Sequence, residues 1–284
     1  MSAAAIFDNR ACTLGEGPLW HPARGQLFWF DITGRKLLSR TEDGPLEWKF
    51  DRHVSAAGWI DEETLLIATQ TDLTRFDIAT GSSRQVVPLE ADNPVTRSND
   101  GRADPKGGFW IGTMGINCES GAGALYRYYR GEIRQLRAQV TIPNATCFAP
   151  DGKTAYFADT AESLIWRYAL DGEGWPVGEA EVFLDHRQSG INPDGAVVDA
   201  KGNLWCAEWG GARVACYSAE GAFLKAVPLS ASQPTCPAFG GDDLATLFVT
   251  SAAQDLAEGV EPDAGCTFAV PSLARGQKEY RVIL

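Results

Sequence analysis

Four short segments place carboxylate or amide side chains beside glycine or proline, ahead of short apolar strands. They are LGEGPLWHP with Glu16, TRSNDGRADP with Arg97, Asn99 and Asp100, IPNATCFAPDG with Asn144, and NPDGAVVDAKG with Asp194. Glutamate, aspartate and asparagine supply hard oxygen ligands, which suit calcium, magnesium or manganese and can also hold zinc. The flanking glycines and prolines suit a backbone that approaches a ligand closely.

The chemistry expected of such a set is metal-assisted attack on a carbonyl group. A divalent cation held by two carboxylates and an amide keeps positions open for water and substrate, and it stabilises a developing oxyanion. The three histidines share no metal-ligand spacing. No G-x-S-x-G, Walker or strand-to-helix G-x-G-x-x-G motif points to a nucleophile or nucleotide site. Each segment alone also fits a simple turn, because Asn-Asp-Gly and Pro-Asp-Gly favour turns.

A repeated strand pattern provides the elements that would bring the four segments together. A polar turn followed by an aromatic-rich strand recurs six times, with strands starting at residues 27, 65, 109, 155, 204 and 247. The intervals of 38, 44, 46, 49 and 43 residues are typical of propeller blades. We predict an all-β fold, a six-bladed β-propeller that forms a single domain over residues 1–284. The four polar segments occur at one phase of this repeat, where the innermost strands would begin.

The last repeat is one strand short, even when CTFAVPSL and EYRVIL are both taken as strands. The N-terminal AAIFDNRACTL is expected to supply the missing strand and close the ring, which would remove free sheet edges.

Composition limits the partners that the chain can have. It contains 25 Lys and Arg against 37 Asp and Glu, a formal charge of −12, which disfavours nucleic acid and anionic membranes. No apolar run is long enough for a membrane span, and no signal peptide is recognised. The seven cysteines form no C-x-x-C pair and several lie in apolar strands. We expect buried thiols and a cytoplasmic protein.

The sequence also resembles a known family. LGEGPLWHP, NDGRADPKGGFWIGTM, PNATCFAPDGKTAYFADT and PDGAVVDAKGNLWCAEWGGARV closely resemble the senescence marker protein-30/gluconolactonase family, which includes regucalcin and bacterial sugar lactonases. The resemblance runs in order from about residue 12 to the end. It implies a six-bladed propeller holding one divalent cation (Zn, Mn, Ca, Mg or Fe) through Glu16, Asn144 and Asp194. Asp194 would also act as the general base, although direct contact with a cation lowers a carboxyl pKa and weakens it as a base.

The resemblance further implies that Arg97 and Asn99 contact the substrate. Family members often carry a glutamate just after the GTM strand, where GTMGINCES offers Asn117 or Glu119 instead. Of these, Asn117 is the predicted third substrate contact. Two tryptophans near strand ends, Trp110 and Trp209, would either stack on a sugar ring or pack in the core.

The implied reaction is hydrolysis of a small-molecule sugar lactone to the aldonic acid, carried out by a monomer or dimer. Two other functions stay open. One is a metal-dependent ester or phosphotriester hydrolase on the same fold, whose pocket would be more apolar. The other is a non-catalytic calcium-binding propeller, which would have no need of Asp194.

Overall fold

In the computed structural model, residues 4–271 and 273–284 are described, and their regular structure consists almost entirely of strands. Twenty-four strands in these residues form six four-stranded antiparallel sheets, the blades of a β-propeller. The predicted fold class is therefore confirmed. Helical structure in the same residues is limited to the 3-10 turn Thr160–Glu162, and none of it has the length and apolar character of a bilayer-crossing helix.

Five blades are each formed by four consecutive strands, numbered in chain order from the innermost strand outward. Blades 1 and 2 are β2 (Gly15–His21), β3 (Gln26–Asp31), β4 (Lys36–Thr41) and β5 (Gly44–Lys49), then β6 (Val54–Trp59), β7 (Thr64–Thr69), β8 (Asp72–Asp77) and β9 (Ser83–Pro88). Blade 3 is β10 (Thr96–Ala103), β11 (Phe109–Gly115), β12 (Gly123–Tyr129) and β13 (Glu132–Val140). Blades 4 and 5 are β14 (Pro143–Phe148), β15 (Thr154–Asp159), β16 (Leu164–Leu170) and β17 (Pro176–Asp185), then β18 (Asn192–Val198), β19 (Leu204–Trp209), β20 (Arg213–Tyr217) and β21 (Phe223–Pro228).

Blade 6 joins the two ends of the chain. It contains β22 (Pro234–Gly240), β23 (Thr246–Ser251), β24 (Thr267–Pro271) and, as its outermost strand, β1 (Ala5–Asp8). β1 pairs antiparallel with β24, so the first strand of the chain completes the last blade. The buried carboxylate of Asp8 accepts hydrogen bonds from Arg10 Nε (2.9 Å) and from Arg40 Nε on β4 (3.0 Å), which ties blade 6 to blade 1.

The aromatic-rich repeat is the second strand of each blade. These strands begin within one residue of the predicted positions, at Gln26, Thr64, Phe109, Thr154, Leu204 and Thr246. The turns before them use glycines in the left-handed region, such as Gly107 (φ 89°) and Gly202 (φ 88°), which tolerate this conformation because they have no Cβ.

The core lies between neighbouring blades and is dominated by aromatic rings on the second strands. Trp205 packs edge-on against Phe239 of the next blade, with ring centroids 6.0 Å apart, and Trp110 meets Phe148 in the same way at 5.5 Å. Trp110 is fully buried. Of the two roles predicted for Trp110, it therefore has the second: it packs in the core and does not stack on a sugar.

The innermost strands β2, β6, β10, β14, β18 and β22 surround the central channel and are linked directly to one another. The Oγ of Ser55 donates to the Oγ of Ser98 (2.8 Å), and the amide of Thr146 donates to the carboxylate of Asp100 (2.7 Å). Thr235 Oγ1 donates to the carbonyl of Gly15 (2.5 Å), which links β22 to β2. These side-chain and backbone contacts fix the relative positions of residues that come from different blades.

The C-terminal segment contradicts the interpretation of EYRVIL as a strand of blade 6. Residues 273–284 instead cross the end of the channel where the innermost strands finish. Gln277 Nε2 donates to the carbonyls of Phe148 (3.1 Å) and Val198 (3.0 Å), and the amide of Ile283 donates to the carbonyl of Gly107 (2.8 Å). Glu279 forms a buried ion pair with Arg102. Buried and exposed residues alternate in EYRVIL because the segment lies on the propeller with one side covered. Val282 is buried, and its neighbours Arg281 and Ile283 are exposed.

Candidate active site

A cavity of about 260 Å³ opens at the other end of the channel, where the innermost strands begin. Its volume is close to the lower end of the range for small-molecule sites, about 300–1,000 Å³. Its wall draws residues from blades 1, 3, 4, 5 and 6. They are Leu14, Glu16, Arg97, Asn99, Met114, Cys118, Ile142, Asn144, Thr160, Asp194, Trp209, Gln254 and Asp255.

Irregular strand pairing turns the polar side chains toward this cavity. The strand register shifts between Glu16 and Leu19 in β2, Ser98 and Gly101 in β10, Asn144 and Cys147 in β14, and Pro193 and Ala196 in β18. A bulge inserts an extra residue, bends the strand and re-aims a side chain, and such bulges are common next to active sites. The other two innermost strands, β6 and β22, shift register at the same phase, so the bulge is a feature of every blade. The cavity is polar because four of the six blades carry carboxylate, amide or guanidinium side chains there.

The glycines beside these side chains allow close approach of a neighbouring blade, and not of a ligand as the sequence suggested. A Cβ on Gly195 would lie 2.4 Å from the Sγ of Cys236 on β22. A Cβ on Gly17, which has a φ of 53°, would lie 2.2 Å from the carbonyl oxygen of Ser55 on β6. Glycine after Glu16 and after Asp194 thus lets the inner strands pack tightly while both carboxylates face the cavity.

Glu16 and Asp194 form a pair of buried carboxyl groups within hydrogen-bonding distance of each other. Burial raises the pKa of both groups, and the negative charge of Asp100 raises them further. The charge of Glu16 also raises the pKa of Asp194. The amide of Gly17 donates to Glu16 Oε2 (2.9 Å), and the nearby Arg97 offsets part of the repulsion. The buried acids Glu16, Asp100 and Asp194 lie near Arg97, the one arginine among the described residues of the cavity wall. When the acids are ionised, this end of the channel therefore carries excess negative charge.

A directed series of hydrogen bonds orients the amides of the site. Arg97 Nη1 donates to Asn99 Oδ1 (2.8 Å), and Asn99 Nδ2 donates to the carbonyl of Pro143 (2.9 Å) and to Asn144 Oδ1 (3.2 Å). Asn144 Nδ2 then donates to Thr160 Oγ1 (2.8 Å). One lone pair of Asn144 Oδ1 remains available, because a carbonyl oxygen has two and Asn99 uses one.

The donor set fits a divalent cation. Two carboxylates and an amide oxygen are hard ligands, and a cation would relieve the repulsion between Glu16 and Asp194. Within the described ranges, no three His, Cys, Asp or Glu side chains cluster as a metal-holding group. The predicted set includes only two carboxylates, so Asn144 would have to complete it.

Five of the six predicted site residues lie together in the cavity wall, namely Glu16, Arg97, Asn99, Asn144 and Asp194. Asn117 does not join them. It is exposed, and its side chain donates to Glu119 (3.0 Å), so the loop contributes Cys118 to the wall instead. The Asn99 side chain is already engaged within the protein, because its oxygen accepts from Arg97 and its NH₂ group donates to two acceptors.

Several wall residues lie outside the sequence prediction. Thr160 follows β15, and Gln254 and Asp255 belong to the long connection between β23 and β24. Asp255 adopts a left-handed backbone conformation with a φ of 60°. Thr160 follows the second strand of its blade and not the first, so it lies outside the phase of the repeat that the other polar site residues share.

Comparison with known proteins agrees with this architecture. The family model described as SMP-30/Gluconolactonase/LRE-like region matches residues 14–253. A protein of Rhizobium meliloti, provisionally named a sugar lactone lactonase, is 39% identical over 283 residues, or 96% of this chain and 95% of its own. Pentonolactonase XacC of Haloferax volcanii is 34% identical over 290 residues, or 99% and 98%.

A solved structure gives the same result for the fold. The structure of regucalcin from Agrobacterium tumefaciens, a calcium-binding protein, has a TM-score of 0.97 and 38% sequence identity to this chain. The match covers 100% of this chain and 98% of that one. With a family model over most of its length and relatives matched almost from end to end, the chain belongs to the SMP-30/gluconolactonase family.

Proposed function

We propose that this protein is a metal-dependent sugar lactonase, a hydrolase that opens an aldonolactone to the aldonic acid. The observation that carries the proposal is the convergence of Glu16, Asn144, Asp194 and Arg97 in one small cavity. The full-length relatives named as lactonases support the reaction class. A cytoplasmic location is part of the proposal, and it is supported by the seven cysteines, which are free thiols and mostly buried.

Glu16, Asn144 and Asp194 would hold the cation. When bound, a divalent cation supplies positive charge that stabilises the oxyanion developing on the lactone carbonyl. Calcium, magnesium, manganese and zinc all accept such oxygen ligands, so each is a candidate for the site.

The chain's own residues supply the remaining chemistry. The Asp194 carboxylate would take the proton of the attacking water, since it lies in the cavity wall and its pKa is raised by burial and by the charges of Glu16 and Asp100. Arg97 stays protonated at neutral pH, because burial lowers its pKa only to about 10. Its guanidinium therefore presents fixed positive charge and donors to the oxygens of the lactone. Asn99 acts mainly by holding the Asn144 amide.

The cavity wall combines polar and apolar parts. Arg97, Gln254 and Asp255 provide hydrogen-bonding groups for sugar hydroxyls, which supports a sugar substrate. Leu14, Met114, Ile142 and Trp209 form an apolar side, and this favours a metal-dependent ester or phosphotriester hydrolase as the second candidate.

A substrate panel separates these functions. Chelated protein would be assayed with a pH indicator on five- and six-membered aldonolactones, on an aryl ester and on a phosphotriester, with each divalent metal restored in turn. The proposal expects metal-restored hydrolysis of at least one aldonolactone at a kcat/KM well above that for the aryl ester. Preference for the aryl ester or phosphotriester would favour the second candidate. Bound metal without turnover of any substrate would favour a calcium-binding propeller.

A further inference from the structure

Thr160 occupies a position between two of the strands that carry the proposed ligands. It is the first residue of the 3-10 turn after β15, and its hydroxyl lies between Asn144 on β14 and Pro193 on β18. Asn144 Nδ2 is 2.8 Å from Thr160 Oγ1, and Thr160 Oγ1 is 2.6 Å from the carbonyl oxygen of Pro193. Pro193 directly precedes Asp194, so the hydroxyl connects two ligand-bearing strands of blades 4 and 5.

The direction of these hydrogen bonds follows from donor and acceptor chemistry. The Pro193 carbonyl can only accept, so the single hydroxyl proton of Thr160 must be donated to it. Thr160 Oγ1 is then left as an acceptor toward Asn144, and only the NH₂ end of the amide can donate to it. The Asn144 oxygen must therefore face away from Thr160, toward the NH₂ group of Asn99 at 3.2 Å.

Blade 1 has no such hydroxyl at the equivalent place. Asp31 and Asp159 pair across the sheet with the residues just before the proposed ligands, Gly15 and Pro143 respectively. Both carboxylates also cap the loop that leads into the innermost strand, through the amides of Leu14 and Ile142, at 3.1 and 2.9 Å.

The residue that follows each of these aspartates differs between the two blades. It is Ile32 in blade 1 and Thr160 in blade 4. A carboxylate such as Glu16 presents oxygen whichever way it is turned, whereas an amide must be oriented. The hydroxyl thus occurs where the ligand is an amide.

We propose that Thr160 is a positioning residue that fixes the Asn144 amide with its oxygen available as a metal ligand. The proposal rests on the proposed metal site. Partners that orient a ligand from outside the first coordination sphere typically contribute 10–100-fold to metal affinity. Thr160→Val removes the hydroxyl at nearly constant volume, so the NH₂ end of the amide loses its acceptor and only the Asn99 donor at 3.2 Å is left to orient it.

The test measures Mn²⁺ affinity of the chelated full-length protein by isothermal titration calorimetry, without substrate. Thr160→Val should weaken the Kd roughly 10-fold or more, and Thr160→Ser, which keeps the hydroxyl, should stay within about 3-fold of wild type. Thr74→Val is the matched control, because it removes a buried hydroxyl on β8 away from the cavity. Should Thr160→Val fail to fold, as judged by thermal melting, Thr160→Ala takes its place.

A double-mutant cycle separates orientation from general damage to the fold. In an Asn144→Asp background either end of the side chain is an oxygen, so Thr160→Val should then change the Kd by less than about 2-fold. Equal Mn²⁺ affinity of wild type and Thr160→Val would overturn the role of Thr160. So would a loss of Mn²⁺ affinity on Thr160→Val that is as large in the Asn144→Asp background as in the wild-type background. If the wild type itself binds no Mn²⁺ or any other divalent cation, the metal site and the proposed function fail together.

Discussion

The carboxyl groups of Glu16 and Asp194 lie within hydrogen-bonding distance of each other, although they belong to blades 1 and 5. Without a cation, burial and the negative charge of Asp100 raise the pKa of Glu16 from an ordinary 4.5 to about 8. A raised folded-state pKa gives a stabilising contribution that is complete below pH 4.5 and is lost as the pH rises through about 8. The site therefore destabilises the metal-free protein at alkaline pH.

Glu16→Gln should make the metal-free protein more stable at pH 9, because the variant has one buried negative charge fewer. Each kcal/mol gained corresponds to a rise in Tm of roughly 2–4 °C for a chain of this size. Scanning calorimetry in chelator at pH 6 and pH 9 measures the effect, and the difference from wild type should shrink at pH 6. A variant less stable than wild type at pH 9 would contradict the electrostatic account of the pair.

Arg97→Ala should impair substrate use and leave metal binding intact. The loss of charged hydrogen bonds is worth about 1.5–3 kcal/mol, or roughly a 10- to 150-fold rise in KM. Steady-state kinetics together with metal analysis of the purified variant provide the measurement. Arg97→Lys is the control, since it keeps the charge without the planar fork of donors, and should recover only part of the loss. Loss of bound metal in Arg97→Ala would show that Arg97 supports the ligands instead.

Gly195→Ala should destabilise the protein by about 1–3 kcal/mol, the usual effect of overpacking. Its new Cβ would lie 2.4 Å from Cys236 Sγ and 2.9 Å from the Cys236 Cα, so β18 or β22 must move. Urea unfolding measures the change. Gly172→Ala is the matched control, because a Cβ there meets nothing within 4 Å. Equal stability of the two variants would argue against close packing as the reason for glycine after Asp194.

Much of the fold follows from the sequence because a blade must repeat its pattern. The second strands are buried along almost their whole length, so their aromatic runs stand out at the same phase in each repeat. EYRVIL resembles a strand because alternation of apolar residues indicates one-sided burial, and a segment lying across the channel end is buried on one side just as an edge strand is.

The candidate site is only partly predictable for a similar reason. Glu16, Asn144 and Asp194 share one phase of the repeat, so symmetry gathers them around the axis. Asn117 and Asp255 lie in loops outside that phase, where the number of residues and the turn geometry decide the direction of a side chain. The loop after β11 turns Asn117 toward Glu119 and away from the cavity.

Glu279→Ala should destabilise the protein by about 3–5 kcal/mol, because it removes the ion-pair partner of the buried Arg102 guanidinium. The pair connects the C-terminal segment to β10 inside the channel. Chemical denaturation measures the loss, and Glu132→Ala, which breaks an exposed pair with Arg134, should change stability little. An effect of Glu279→Ala no larger than that of the control would mean that the segment only covers the channel and does not stabilise the inner strands.

Stoichiometric reconstitution tests whether lactone hydrolysis depends on one metal ion held by Asp194. Chelated wild-type protein and Asp194→Asn would be titrated with a divalent metal while turnover of the best aldonolactone is recorded after each addition. Wild-type turnover should rise with added metal and level off at one equivalent per chain, and Asp194→Asn should stay inactive. Full lactone turnover by the metal-free protein, or metal-restored turnover in Asp194→Asn, would contradict a metal-dependent mechanism that uses Asp194.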